Sequence, residues 1–322
     1  MSDRFFESII RYWRSIAPGV LVVFFLSPLI LADTPPPSLP PAPGILVDVG
    51  DHRLHLNCSG QGSPTVILES GLGGNSLDWT RVVPGIASFT RVCAYDRAGY
   101  GWSEMGPMPR TGLRIAEELH QLLQNAQEQG PYLLVGHSFG GLTVRLFASR
   151  YHAETVGLVL VDASHELQFD YLRQVGAIGR KNHVKDKAGG LGVPENLPAE
   201  VSVLDQFLVG TEKAMLTMAS EGRYFQFSGY QTRLFANSSD GIPVTVLSRG
   251  RRVWAHDERG DRLEAAWETL QQDLFRRLGT SRRIASDSGH YIQLDQPRLV
   301  IDSIRSLAHT IKRGTDGLGA RF

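Results

Sequence analysis

From Ile45 onward the chain alternates two kinds of apolar pattern. One is a short, largely continuous apolar run. The other is a longer stretch in which apolar residues recur every three or four positions. Thr65–Glu69, Thr90–Tyr95, Tyr132–Val135, Thr155–Val161, Pro243–Leu247 and Arg282–Ala285 are of the first kind. They predict strands buried on both faces. Ile45–Val49 and Arg53–Cys58 flank Gly50-Asp51-His52 and predict a hairpin. Leu113–Gln129 is of the second kind, with Leu113, Ile115, Ala116, Leu119, Leu122 and Leu123 at helical spacing. Asp261–Leu278 and Pro297–Ile311 predict further helices, and 313–322 reads as a flexible tail. Apolar strands alternating with helices predict an α/β domain over 45–312, its mostly parallel sheet covered by helices on both faces.

Two segments break the alternation. Residues 163–242 are partly polar and irregular, and Lys181–Gly192 is rich in Lys and Gly. An insertion of this length between two strands predicts a helical cap. Its aromatics are Phe169, Tyr171, Phe207, Tyr224, Phe225, Phe227, Tyr230 and Phe235. Most are expected to form the cap's own small core, and the rest to line an apolar substrate pocket. The other break is the N-terminus. Arg4, Arg11 and Arg14 precede an apolar run from Ile16 to Ala32, the layout of a signal peptide or N-terminal membrane anchor over 1–32. Basic residues ahead of the run favour export of everything after it. The product is expected to be membrane-tethered through 16–32, or secreted or periplasmic after cleavage. A Pro-rich linker, 33–44, follows and predicts a semi-rigid spacer.

Composition narrows the function classes. Of 322 residues, 42% are hydrophobic and 20% charged, an ordinary globular balance. Lys plus Arg and Asp plus Glu are both 33, so no broad electrostatic attraction to nucleic acid is expected. There is no metal-type Cys/His cluster in the sequence. Cys58 and Cys93 are either a disulfide in an exported domain or two small buried hydrophobes.

The chemistry is carried by Gly136-His137-Ser138-Phe139-Gly140, a Gly-x-Ser-x-Gly pattern between a predicted strand and a predicted helix. In that context the pattern predicts a nucleophile elbow, with Ser138 turned outward from the top of the sheet. A serine hydroxyl is a weak nucleophile at neutral pH and needs a positioned base.

Four segments, in order and spacing, resemble the α/β-hydrolase superfamily: Glu69-Ser70-Gly71-Leu72-Gly73-Gly74, Tyr95-Asp96-Arg97-Ala98-Gly99-Tyr100-Gly101-Trp102-Ser103, the Ser138 elbow, and Ser288-Gly289-His290. The resemblance covers nearly all of 45–312. It implies an eight-stranded sheet of order 1-2-4-3-5-6-7-8 with the second strand antiparallel, which makes the strands of Cys58 and Cys93 neighbours. It implies His290 as the base. His52, His55 and His183 lack such a context, and His137 is expected to support the loop. It implies backbone N–H groups of Leu72 and Phe139 as the oxyanion hole, although Ser70-Gly71 stands where relatives usually have His-Gly. The triad acid departs from the usual pattern, because Arg252 falls where relatives place Asp after the seventh strand. Asp162 at the end of the sixth strand is the first choice, with Asp257 or Asp261 as alternatives. Asp96 and Arg97 read as bracing for their own turn.

The resemblance implies a serine hydrolase cleaving esters of small or apolar substrates, with no metal or organic cofactor. Aminopeptidase-type and carbon–carbon bond hydrolases are alternatives, as is a non-catalytic receptor that uses the capped pocket for binding. Oligomeric state is not legible.

Overall fold

The computed structural model describes residues 40–178, 196–236 and 241–319. The N-terminal apolar run, most of the Pro-rich linker and Lys181–Gly192 lie outside the described residues. The chain divides into Met1–Pro41 and Ala42–Phe322, and the second unit is described below. Among the described residues, no helix is long and apolar enough to cross a membrane.

The strands are β1 (Ile45–Asp48), β2 (Arg53–Ser59), β3 (Thr65–Glu69), β4 (Val92–Tyr95), β5 (Tyr132–His137), β6 (Thr155–Val161), β7 (Val244–Arg249) and β8 (Ser281–Ala285). They form one sheet in the order β1-β2-β4-β3-β5-β6-β7-β8. Only β2 breaks the parallel arrangement, pairing antiparallel with both β1 and β4. This is the α/β-hydrolase architecture that the motif order implies. The main helices are α1 (Val83–Ala87), α2 (Gly112–Asn125), α3 (Gly140–Arg150), α4 (Gln168–Gln174), α5 (Ala199–Val209), α6 (Glu212–Phe235), α7 (Glu258–Leu278), α8 (Ile292–Asp295) and α9 (Pro297–Gly319).

The continuous apolar character of β5 has a direct cause. Tyr132 and Leu134 face one core, with Leu119, Phe147 and Leu274. Leu133 and Val135 face the other, with Trp79, Val159 and Ile304. A strand that alternates between two dry cores has no polar face. Each fully buried large side chain in such a core contributes about 1.5–3 kcal/mol.

Two helix ends differ most from the pattern-based expectation. Helix α2 stops at Asn125, not Gln129, because Gln127 adopts a left-handed φ of +56°. Helix α9 continues to Gly319, so 313–319 is helical and not a tail. No proline interrupts it, and a glycine inside a helix costs only about 1 kcal/mol.

Cys58 and Cys93 face each other in the β2–β4 register and are joined by a disulfide. The bridge closes a separation of 35 residues. Replacing both cysteines with alanine is expected to lower stability by about 2–4 kcal/mol. Denaturant melts with and without reductant measure this, and non-reducing mass spectrometry should find no free thiol.

Candidate active site

The turn after β5 is built to hold one strained residue. Ser138 has φ +52°, a left-handed conformation that costs a non-glycine residue about 1–2 kcal/mol. Its backbone is pinned on both sides to sustain this. Ser138 N donates to Val161 O (3.2 Å), and Ser138 O accepts from Gly141 N (3.0 Å) and Ser164 N (2.9 Å). Gly140 is required by close approach, since a Cβ there would stand 2.6 Å from the carbonyl oxygens of Glu69 and Ser70. The turn thus presses the start of α3 against the loop that follows β3.

His290 lies between β8 and α8, and its Nδ1 is 2.6 Å from Asp162 Oδ2. Asp162 is fully buried at the end of β6, with φ +40°. Its Oδ1 accepts from Trp267 Nε1 (3.0 Å) and from Arg249 N (3.2 Å), and its Oδ2 from Arg249 Nη1 (3.1 Å). The Arg249 guanidinium packs on the rings of both Trp254 and Trp267, at 4.6 and 5.1 Å from their centroids. Burial alone would raise the Asp162 carboxyl. The Arg249 charge, the His290 hydrogen bond and the Trp267 N–H outweigh it and hold Asp162 at about 2. Asp162 is therefore an anion at neutral pH.

The other two candidate acids are engaged elsewhere. Asp257 caps α7, accepting from Gly260 N at 2.7 Å. Asp261 pairs with Arg252 at 2.6 Å. Arg249 and Trp267 were not singled out by sequence. An arginine closing an apolar strand was the available signal for the first. Trp267 reads only as one more apolar residue on the buried stripe of α7.

Burial pushes the His290 imidazole below its ordinary value of 6.5. Arg249 adds to this, and the Asp162 carboxylate opposes it. If neutral His290 is the working base, kcat/KM should fall as pH drops through a midpoint below 6.5. Arg249→Met should move that midpoint upward, because the guanidinium disfavours imidazolium. A pH–rate profile of both proteins checks this. His137 Nε2 donates to the His290 carbonyl at 3.0 Å, which gives His137 the loop-supporting place expected of it.

The loop after β3 reaches the elbow. A Cβ on Gly71 would stand 3.1 Å from Ser138 Cβ and 3.0 Å from His137 Nδ1. Leu72 and Ser138 line the same pocket. Ser70, in the place of the usual histidine, donates from Oγ to Asn75 O (2.8 Å) and accepts from Trp79 Nε1 (2.9 Å). Asp96 braces its own turn through Trp102 N (3.0 Å) and also accepts from Ser76 N (2.7 Å), in the segment after β3. Arg97 does not: its hydrogen bonds go to Glu69, Ser70 and Gly71, and to Glu221 on α6.

Ser138 and His290 open into a cavity of about 400 Å³. Its other walls include Phe169, Leu172, Phe225, Trp254, Trp267 and Tyr291. The insertion between β6 and β7 supplies the first three. Its aromatics correct the sequence expectation. Phe169 and Phe225 line the cavity, whereas Phe207, Phe227, Tyr230 and Phe235 are exposed rather than packed in a core of the insertion. The buried face of α6 carries small and polar residues such as Ala214, Thr217, Ser228 and Gly229. At Gly229 a Cβ would stand 2.5 Å from Glu166 O, so the helix packs too closely for a side chain at that position.

Cys58, Cys93 and Glu128 bring ligand-type atoms within 4.8 Å of one another, but the two sulfurs are bonded to each other. Disulfide sulfurs are not the thiolates a metal site uses.

Residues 64–179 match the sequence profile of the alpha/beta hydrolase fold. An "AB hydrolase superfamily protein" of Gibberella zeae is 32% identical over 291 residues, covering 77% of this chain and 87% of that protein. Some other curated relatives are much longer. A probable transporter of Hormonema carpetanum is 35% identical over 132 residues, and the match spans 38% of this chain but 19% of that protein. Among solved structures, a thermophilic esterase from Thermogutta terrifontis superposes with a TM-score of 0.58 at 20% identity, covering 83% of this chain and 98% of the esterase. At that identity the likeness concerns the fold alone.

Proposed function

The chain belongs to the α/β-hydrolase superfamily, and we propose that it is a serine hydrolase that cleaves carboxylic esters bearing an apolar group, through an acyl-enzyme on Ser138. One observation carries the reading. A serine held at positive φ shares an apolar cavity with a histidine whose Nδ1 is bonded to a buried carboxylate.

In this reading Asp162 accepts the Nδ1–H of His290, which leaves Nε2 unprotonated and free to act as base. As Ser138 Oγ attacks the acyl carbon, Nε2 takes its proton. Negative charge develops on the carbonyl oxygen and meets the N–H groups of Phe139 and Leu72. The imidazolium then protonates the departing alkoxide, leaving the acyl group on Ser138. Water attacks that ester with His290 again as base, and Ser138 is restored. The anionic Asp162 stabilises the imidazolium in both halves.

The cavity supports an apolar acyl or alcohol group. At about 400 Å³ it suits a group of moderate size. The disulfide fits an oxidising compartment, in keeping with export directed by the N-terminal segment.

A fluorophosphonate probe and a panel of p-nitrophenyl esters of increasing acyl length test the proposal together. Stoichiometric labelling mapped to Ser138, with kcat/KM rising with chain length and then falling, is the expected result. Faster turnover of aminoacyl arylamides than of any ester would instead make the protein an aminopeptidase. An unlabelled, folded protein would favour a receptor.

A further inference from the structure

Building on the reading of Ser138 as an acyl-transfer nucleophile, we propose that Arg97 is a positioning residue for the oxyanion hole. It clamps the peptide plane that carries the Leu72 donor, and Glu221 on α6 holds Arg97 in place.

The Arg97 side chain is buried and leaves its turn. Nη2 donates to Gly71 O at 2.6 Å, and Nη1 to Ser70 O at 2.7 Å and Glu69 Oε1 at 2.6 Å. Nε and Nη2 reach the two carboxylate oxygens of Glu221, at 3.0 and 3.2 Å. One guanidinium thus grips two consecutive carbonyls of the loop after β3 and one carboxylate of the insertion.

The Gly71 carbonyl and the Leu72 N–H belong to the same peptide group. That group is planar, and in the trans form its C=O and N–H point in opposite directions. Gly71–Leu72 is not among the cis bonds. Fixing Gly71 O therefore fixes the direction of the Leu72 N–H and turns it away from Arg97. The elbow packs directly against Gly71, where an added Cβ would stand 3.1 Å from Ser138 Cβ. A charge-assisted bond at the carbonyl also polarises the amide and makes its N–H a stronger donor. Oxyanion stabilisation depends on donors aimed before charge develops, so an angular error in this plane acts on the transition state more than on bound substrate.

Only arginine has the planar fork to serve these acceptors at once; lysine offers a single point charge. Glu221 receives Arg97 and the hydroxyl of Tyr100 (2.9 Å). It is fully buried one helical turn before Phe225, which lines the cavity. The wall that meets an apolar substrate group and the clamp on the oxyanion donor therefore sit on one face of one helix.

The test uses Arg97→Lys, Glu221→Gln and the double variant in the full chain. Measurements are kcat and KM for one p-nitrophenyl ester, inhibition by an alkyl boronic acid, the rate of fluorophosphonate labelling, and Tm. Removing one oxyanion donor typically costs about 10²–10³ in kcat. A donor left in place but badly aimed should cost less. We expect kcat to fall about 30-fold for Arg97→Lys and about tenfold for Glu221→Gln, with KM within about threefold. Boronate affinity, which reports the tetrahedral oxyanion, should fall in parallel. The double variant should be no slower than Arg97→Lys, because both residues act through one clamp. Folded variants with wild-type kcat and boronate affinity would overturn the proposal, as would losses confined to KM or effects that multiply in the double variant. If Arg97→Lys does not fold, Glu221→Gln, which keeps side-chain volume, decides alone. Wild-type protein that takes up no probe removes the Ser138 reading and the clamp with it. Normal labelling of both wild type and variants removes only the clamp.

Discussion

Ser138→Ala is expected to lower kcat/KM for ester hydrolysis by roughly 10⁴–10⁶ and to abolish fluorophosphonate labelling, with little change in Tm. Alanine keeps the backbone and nearly the volume, so only the nucleophile is lost. Removing the nucleophile from a triad of this kind costs about as much as removing the whole triad, because its members act as a unit. What remains is the rate supplied by binding and the oxyanion donors. Ser138→Gly should be equally inactive but more stable than Ser138→Ala by about 1 kcal/mol, because glycine adopts φ +52° without strain. Denaturant melts of the two variants separate chemistry from strain. If alanine and glycine are equally stable, the turn stores no energy at this residue.

Asp162→Asn is expected to lower kcat by about 10³–10⁴. An Asn amide group next to His290 Nδ1 would act as a donor, pushing the imidazole into the tautomer that carries its proton on Nε2. That tautomer cannot take a proton from Ser138. Stability should fall as well. The carboxyl sits at about 2 against an ordinary 3.8, and at about 1.4 kcal/mol per unit this is about 2 kcal/mol. Because the folded value is the lower one, this contribution is complete above pH 3.8 and is lost as pH falls toward 2. The wild-type stability advantage over Asp162→Asn should therefore shrink in acid. Turnover within tenfold of wild type would pass the acid's role to Asp257 or Asp261, against their placement on Gly260 N and Arg252.

How much of the site was legible depends on how local each feature is. The elbow was readable because strand, turn and helix are consecutive. His290 was readable because its Gly-His pair follows the last strand. The acid was not. His290 and Asp162 are 128 residues apart, and whether Asp162, Asp257 or Asp261 reaches Nδ1 depends on strand neighbours and loop paths. Arg97 was read as bracing for its own turn, but its acceptors lie on β3, on the loop after it and on α6, so its target was not legible. The insertion was read least well. Its aromatics suggested a core, yet Phe207 on α5 and Phe227, Tyr230 and Phe235 on α6 are exposed.

By itself the sequence determined the alternation of strands and helices, the site of the strained serine and the superfamily. The first two follow from short-range periodicity and from glycines required at a tight turn, and the third from a resemblance in the order and spacing of four motifs. Only the tertiary structure decided which carboxylate meets His290, that Arg249 and Trp267 hold it, and that the Leu72 peptide plane is gripped by Arg97. The physical reason is the same in each case. Hydrogen-bond geometry between side chains far apart in the chain depends on ångström-scale placement of whole strands and helices, and local pattern carries no information at that scale.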